Sequence, residues 1–192
     1  MLRMSRLSSN DRRALLDLAH LAISSAVIEK RIQDFPAQSG TLTTPAGAFV
    51  TLHCAGRLRG CVGQVESPDP LAETVARAAI NAALHDSRFH PVQAEEVQSL
   101  EIEISVLSPP QPVAPEAIVV GRHGLMVVKG EHRGLLLPQV AAERRWSCQL
   151  FLEETCAKAD LPRDAWREPS ARIFAFDAEV FSDTTLRALS GV

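Results

Sequence analysis

The sequence predicts an α+β fold built on a mostly antiparallel sheet flanked by helices. Three observations carry that expectation. Strand-like and helical stretches mix without a regular βαβ alternation, which disfavours a parallel sheet. Glu101 to Ser108 alternates strictly, with Ile102, Ile104 and Val106 against Glu101, Glu103 and Ser105, as a half-buried strand does. Two stretches in the first half of the chain instead follow helical spacing.

The first of these helices is predicted from the capping candidates Ser8, Ser9, Asn10 and Asp11 to about Ile32. Leu15, Leu18, Ala19, Ala22, Ala26 and Ile28 form its apolar side. Ala37 to Gly47 is a polar connection rich in Thr, Ser, Pro and Gly. A hairpin follows, Ala48 to Cys54 and Leu58 to Gln64, and its loop decides its register. A three-residue loop, Ala55-Gly56-Arg57, gathers Val50, Leu52, Cys54, Leu58 and Val62 on one apolar face. It leaves Thr51, His53, Arg59 and Cys61 on the other, with His53 opposite Arg59 and Thr51 opposite Cys61. A two-residue loop would move Arg57, Arg59 and Cys61 to the side of Val50 and Leu52. A one-residue slip exchanges the faces of a strand, so the hydrophobic pattern favours the three-residue loop.

The second helix is predicted with Asp69 as cap and Pro70 in its first turn, running to about Leu84. It carries alanine at 72, 76, 78, 79, 82 and 83, and its polar residues Glu73, Arg77, Asn81 and His85 form a narrow stripe. His85 to Pro91 is a loop, and Ala94 to Gln98 a short helical turn. After the alternating strand, prolines at 109, 110, 112 and 115 mark a stiff connection, with a smaller lobe expected around 111–138 in a single-domain chain. Leu125 to Val128 and Leu135 to Leu137 read as strands joined by a loop at Lys129 to Arg133. Pro138 stops them. A helix is then expected from Gln139 to about Lys158, with Trp146, Leu150, Phe151 and Leu152 on its apolar side, and a last strand within Arg172 to Ser182.

Composition narrows the function. The 192 residues carry a net charge of -3 without a run of like charges, which disfavours non-specific nucleic-acid binding and leaves at most a local patch of Arg57, Arg59, Arg77 and Arg88. No apolar run approaches the roughly 20 residues that span a bilayer. Met1 to Arg13 lacks the apolar centre of a secretory signal, and Cys54, Cys61, Cys148 and Cys156 sit in regular elements. The expectation is a cytoplasmic protein with reduced thiols and no membrane contact.

The densest chemistry lies in Arg57-Leu58-Arg59-Gly60-Cys61-Val62-Gly63-Gln64. Cys61 is the candidate nucleophile, with Arg59 and Arg57 to stabilise a thiolate and His53 as base or orienter. The competing role for Cys61 is a small side chain filling space. Gly60 and Gly63 suggest close backbone approach, although the motif is neither a P-loop nor a dinucleotide fingerprint. Arg59 with Arg88 is a candidate anion pair, against the alternative that Glu66, Glu101 or Glu103 holds both arginines. His85, Asp86 and His90 fit no common zinc spacing and no single helical face, and the cysteines are too far apart for a zinc knuckle. No metal and no cofactor are expected. Gln139 either lines the same cleft as Cys61 or neighbours a helix cap. Trp146 and Trp166 read as core aromatics, since nothing basic interleaves with them.

Leu58-Arg59-Gly60-Cys61-Val62-Gly63 resembles the Leu-Arg-Gly-Cys-Ile-Gly signature of the AMMECR domain family. Asp86-Ser87-Arg88-Phe89 followed by Pro91 is similar to its Asp-Pro-Arg-Phe element, and Glu101 to Pro109 to its central strand. Gly124-Leu125, Arg133-Gly134-Leu135-Leu136-Leu137-Pro138-Gln139-Val140 and Trp146 to Lys158 resemble later elements in order, so that the likeness covers roughly Leu15 to Phe181. Ser87 stands where proline is usual, and Asp160 where glycine would end the helix. The resemblance implies a compact two-lobed α+β protein. It also implies membership of the AmmeMemoRadiSam system (protein A type), beside a Memo-like protein related to LigB-type dioxygenases and a radical SAM protein. Three roles are open on these grounds: a binding or substrate-presenting component acting through the Arg59/Cys61 surface, a small-molecule enzyme using Cys61 as nucleophile, and a nucleic-acid-associated regulator.

Overall fold

The computed structural model describes residues 7–31 and 40–185. The chain divides into two units: one comprises residues up to Leu107 together with those from Glu179, the other Ser108–Ala178. The architecture is α+β, with antiparallel strands and helices packed on them.

In the first unit, α1 (Ser9–Val27) starts at Ser8. The Ser8 hydroxyl accepts from the Asp11 N–H at 3.1 Å and the Asp11 carboxylate accepts from the Ser8 N–H at 3.0 Å. Such a reciprocal cap stabilises a helix end by about 1 kcal/mol. The helix stops well short of the expected Ile32. Lys30 turns left-handed at φ 56°, and the Arg31 N–H returns to the Ser25 carbonyl at 3.0 Å. Residues 32–39, where the first helix and the polar connection were expected to meet, lie outside the described residues; Gly40–Thr43 forms a 3-10 turn.

Strands β1 (Ala48–Cys54), β2 (Arg57–Gln64) and β3 (Leu100–Leu107) form the sheet of this unit in the order β2-β1-β3. Val50, Leu52, Ile102, Ile104 and Val106 lie fully buried on one face, against α1 and α2 (Leu71–Leu84). Burying each such side chain contributes about 1.5–3 kcal/mol. The alternation along β3 gives way to burial on both faces from Ile104 to Leu107. The cap of α2 corrects the expected one. Pro70 occupies the cap position, and Asp69 accepts instead from Arg77 Nη2 at 2.5 Å. The segment from Glu179 returns to this unit: Glu179 accepts from Arg12 and from the Leu7 N–H, and Asp183 from the Ile102 N–H.

The hairpin corrects the expected loop. Only Ala55 and Gly56 form the turn, at φ 50° and 71°, and Cys54 pairs with Arg57 and His53 with Leu58. The register then shifts, so that Leu52 faces Gly60, Thr51 faces Cys61 and Val50 faces Val62. Arg59 is the additional residue of a β-bulge. His53 therefore lies opposite Leu58 and not Arg59, and Leu58 is 42% exposed instead of joining the core. Two left-handed residues match a type I′ turn, in which asparagine is preferred to alanine at the first position. Ala55→Asn is accordingly expected to raise stability by about 0.5–1 kcal/mol, read from urea denaturation midpoints.

In the second unit, β5 (His123–Lys129) pairs with β6 (His132–Leu136) and with β7 (Arg172–Ser182), and the short β4 (Gln111–Pro112) pairs with β7. The β5–β6 loop is Gly130-Glu131, tighter than the expected Lys129 to Arg133. The helix expected from Gln139 to Lys158 is two helices, α3 (Pro138–Glu143) and α4 (Cys148–Lys158). Between them Arg145 turns left-handed at φ 52°, and Ser147 recaps the chain by accepting from the Leu150 N–H. α4 ends at Lys158, with Asp160 holding the left-handed position at φ 56°. Phe151, Leu152 and Cys156 centre this core, with Trp146 and Trp166 packed against it.

Candidate functional site

Among the described residues β2 is the last strand of its sheet, so its outward backbone groups have no neighbouring strand there. An exposed edge of this kind is ordinarily blocked or satisfied by side chains. At Cys61 an ion pair does so. The Asp86 carboxylate accepts from the Cys61 N–H at 2.8 Å, and Arg88 Nη2 donates to the Cys61 carbonyl at 3.1 Å. Asp86 and Arg88 are themselves joined side by side, Nε to Oδ1 at 2.9 Å and Nη2 to Oδ2 at 2.6 Å. One acceptor and one donor thus stand where the next strand would place its C=O and N–H.

Asp86 is placed for this by the end of α2, which passes directly over β2. A Cβ built at Gly60 would overlap the Ala82 carbonyl oxygen and lie 3.0 Å from its carbon. After His85 caps the helix, the Phe89 N–H returns to the Asp86 carbonyl at 3.0 Å and the Val92 N–H to Ala83 at 2.8 Å, folding the loop against the strand. The Asp86 side chain is 5% exposed, against 54% for Arg88. Hydrogen bonds from Arg88 hold the Asp86 carboxyl far below the usual carboxylate range, and the backbone N–H groups of Cys61 and Arg88 add to this against the cost of desolvation.

A second ion pair lies one step along the strand. Arg59 donates from Nε and Nη2 to the two Glu96 oxygens at 2.8 and 2.9 Å, and from Nη1 to the His90 carbonyl at 2.8 Å. Glu96 also accepts from the Gln93 N–H at 2.9 Å, closing a capping box on the 3-10 turn Ala94–Ser99. Hydrogen bonding to Arg59 is the main cause that lowers the Glu96 carboxyl, and Glu96 in turn raises Arg59. The partners of the two arginines are therefore Glu96 and Asp86, in place of the expected Glu66, Glu101 or Glu103. Arg77 pairs with Asp69, so three of the four residues of the expected basic patch already face a carboxylate.

Cys61 is half-buried, and its sulfur accepts from the Thr51 hydroxyl at 3.2 Å, the cross-strand neighbour. Among the described residues no histidine hydrogen bonds to it. His53 sits between Leu58 and Glu101 in the register, and Arg59 turns to Glu96; the arginine beside Cys61 is Arg88. Gly63 has a packing reason of its own, since a Cβ there would lie 2.5 Å from Cγ of Phe49, its cross-strand partner. A ring laid over a strand glycine compensates for the missing side chain. Gln139 belongs to the second unit, at the start of α3.

Beside the two arginines lies an open depression of about 470 Å3, lined by Arg59, Ser87, Arg88, Phe89 and His90. Arg88 also stacks at 5.4 Å from the Phe89 ring centroid. Sequence reasoning missed Glu96, Ser87 and Phe89 as parts of this place, and weighed Asp86 only as a metal ligand. Among the described residues no group of three or more His, Cys, Asp and Glu side chains is placed to hold a metal ion, and no helix is long and apolar enough to cross a membrane.

Fold and site together define an α+β protein whose hairpin edge is closed by an ion pair beside an open polar depression. A family model described as AMMECR1 matches residues 16–181, and the chain belongs to that family. It is 40% identical to a protein of Methanothermobacter thermautotrophicus over 92% of this chain and 96% of that one. It is 42% identical to Protein TK0174 of Thermococcus kodakarensis over 88% of each. The crystal structure of the uncharacterized protein PH0010 from Pyrococcus horikoshii superposes with a TM-score of 0.84 at 39% identity, covering 91% of this chain and 92% of that one. None of these names states an activity.

Proposed function

We propose that the protein is a binding or substrate-presenting component that acts with a Memo-like protein and a radical SAM protein through the surface bearing Arg59 and Cys61. One observation supports this reading above the alternatives: the polar groups of the signature are engaged in holding a surface, not in activating a nucleophile. Both guanidinium groups are bidentate to carboxylates, and Cys61 meets the neutral Thr51 hydroxyl and the Arg88 guanidinium, whose charge is already paired with Asp86. A nucleophilic cysteine is served by a base within hydrogen-bond reach, and among the described residues none hydrogen bonds to the Cys61 sulfur. The pairing of Arg59, Arg77 and Arg88 with carboxylates likewise speaks against a nucleic-acid footprint. In this reading the protein works in the cytoplasm.

Co-purification tests the proposal. The tagged protein is expected to retain a Memo-like and a radical SAM partner from the same cell, and Cys61→Ser, which keeps a small polar side chain opposite Thr51, is expected to retain them equally. Absence of any complex at high concentration argues against the binding role. A Cys61→Ser protein that keeps its fold and partners but fails to complement a deletion strain restores the nucleophile reading.

A further inference from the structure

We infer that the depression over Arg59, Ser87, Arg88, Phe89 and His90 is a ligand site for a monoanionic carboxylate carried on a planar apolar body. Its volume, about 470 Å3, falls in the range of small-molecule sites. Its charged lining residues are arginines, while the carboxylates that pair with them, Asp86 and Glu96, do not line it. The sign of the charge presented to a ligand is therefore opposite to that of the groups behind it.

Arg88 supplies the specific donor. Its Nε and Nη2 are taken by Asp86 and the Cys61 carbonyl, and the guanidinium also meets the Cys61 side chain; Nη1 takes no part in the bonds to Asp86 and the Cys61 carbonyl, and the side chain is 54% exposed. The guanidinium is fixed by three side-chain bonds before any ligand arrives, so little rotamer freedom remains to be lost on binding. The Ser87 hydroxyl next to it is exposed and makes no hydrogen bond among the described residues. The Phe89 ring, already stacked by Arg88, gives a flat apolar wall for the rest of the ligand. A monoanion suits this set better than a dianion. Nη1 can donate one charge-assisted N–H···O bond to a carboxylate oxygen and the Ser87 hydroxyl a second bond, whereas a phosphate brings a second charge towards Asp86 and Glu96, which have already neutralised the arginines.

The inference rests on the reading of the protein as one that holds a ligand for others. Its test uses benzoate, with benzamide as the neutral isostere and inorganic phosphate as the dianion, titrated into the full-length 15N-labelled protein. Benzoate is expected to shift the amides of residues 87–90 and the Arg88 Nε–H saturably, with a Kd on the order of 1 mM. Benzamide and phosphate should shift them at least about tenfold more weakly. Replacing Arg88 would also break the edge clamp, so the decisive variant is Ser87→Glu, which puts a negative charge at the rim while keeping both clamp residues. With a native spectrum elsewhere, it should abolish saturation. Absence of saturable shifts at these residues, equal binding of benzamide, tighter binding of phosphate, or benzoate binding unaffected by Ser87→Glu each overturns the assignment. Failure of benzoate binding with partners still co-purifying refutes this site alone, and the reverse outcome refutes the partner role alone.

Discussion

Replacing Asp86 with alanine is expected to destabilise the protein by about 2–3 kcal/mol at neutral pH, and with asparagine by roughly half of that. Asparagine keeps an oxygen that can accept from the Cys61 N–H, so it removes mainly the charge. Alanine also strands the edge N–H of β2. The figure stays below the usual cost of breaking a fully buried ion pair, because Arg88 is more than half exposed and water replaces part of what it loses. The pH dependence separates charge from packing. In the native state the Asp86 carboxyl is held well below its unfolded value, chiefly by Arg88. Its stabilisation is therefore complete above about pH 4 and is lost as pH falls towards the native-state pKa, because the unfolded chain takes up the proton first. Urea unfolding of the native protein and of Asp86→Asn should differ fully at pH 7 and by a shrinking amount from about pH 4 down to pH 2. Other carboxylates, Glu96 included, titrate in both proteins and cancel in the difference. A gap that stays constant across this range would mean that the clamp works through shape and not charge.

The hairpin shows why so much of the site was legible and where legibility stopped. The pairing of Thr51 with Cys61 follows from hydrophobic pattern even though the loop inferred from it was too long. A two-residue turn plus one bulged residue consumes the same number of residues as a three-residue loop, so the registers coincide from Leu52 inward and differ only at His53 and Cys54. What selects the bulge is tertiary: Arg59 is drawn to Glu96, and Gly60 lies under the Ala82 carbonyl. Neither partner is near in sequence, and neither has a periodic signal. The break between α3 and α4 was partly visible, since Ser147 is a good cap residue directly before an apolar run. A continuous apolar side from Trp146 to Leu152 concealed it. Asp86 and Arg88 were noticed for their chemical types but not as partners of the strand, because local spacing cannot reveal that both reach its backbone atoms about 25 residues earlier.

Gly60→Ala is expected to be at least as damaging as the loss of the Asp86 charge, costing about 2–4 kcal/mol or preventing folding. The Cβ would meet the Ala82 carbonyl oxygen, and no rotamer change relieves a contact between backbone and a Cβ. Either α2 lifts from β2 or the strand bends outward. In both cases Asp86, a few residues beyond Ala82, is pulled from the Cys61 N–H, so the packing defect and the clamp are coupled. Double-mutant cycles measure that coupling. Gly60→Ala combined with Asp86→Ala should cost less than the sum of the two single changes by about 1 kcal/mol or more, since the first has already weakened what the second removes. Full additivity would separate the helix contact from the edge clamp. Gly63→Ala provides the contrast. Its Cβ also meets backbone, at Ala48 and Phe49, but on the paired strand β1 and not on α2. It should destabilise the hairpin while adding independently to Asp86→Ala. Sub-additivity at Gly60 with additivity at Gly63 would tie the first glycine of the signature to a single physical role. It lets a helix come close enough to its strand for a carboxylate at the helix end to close the sheet.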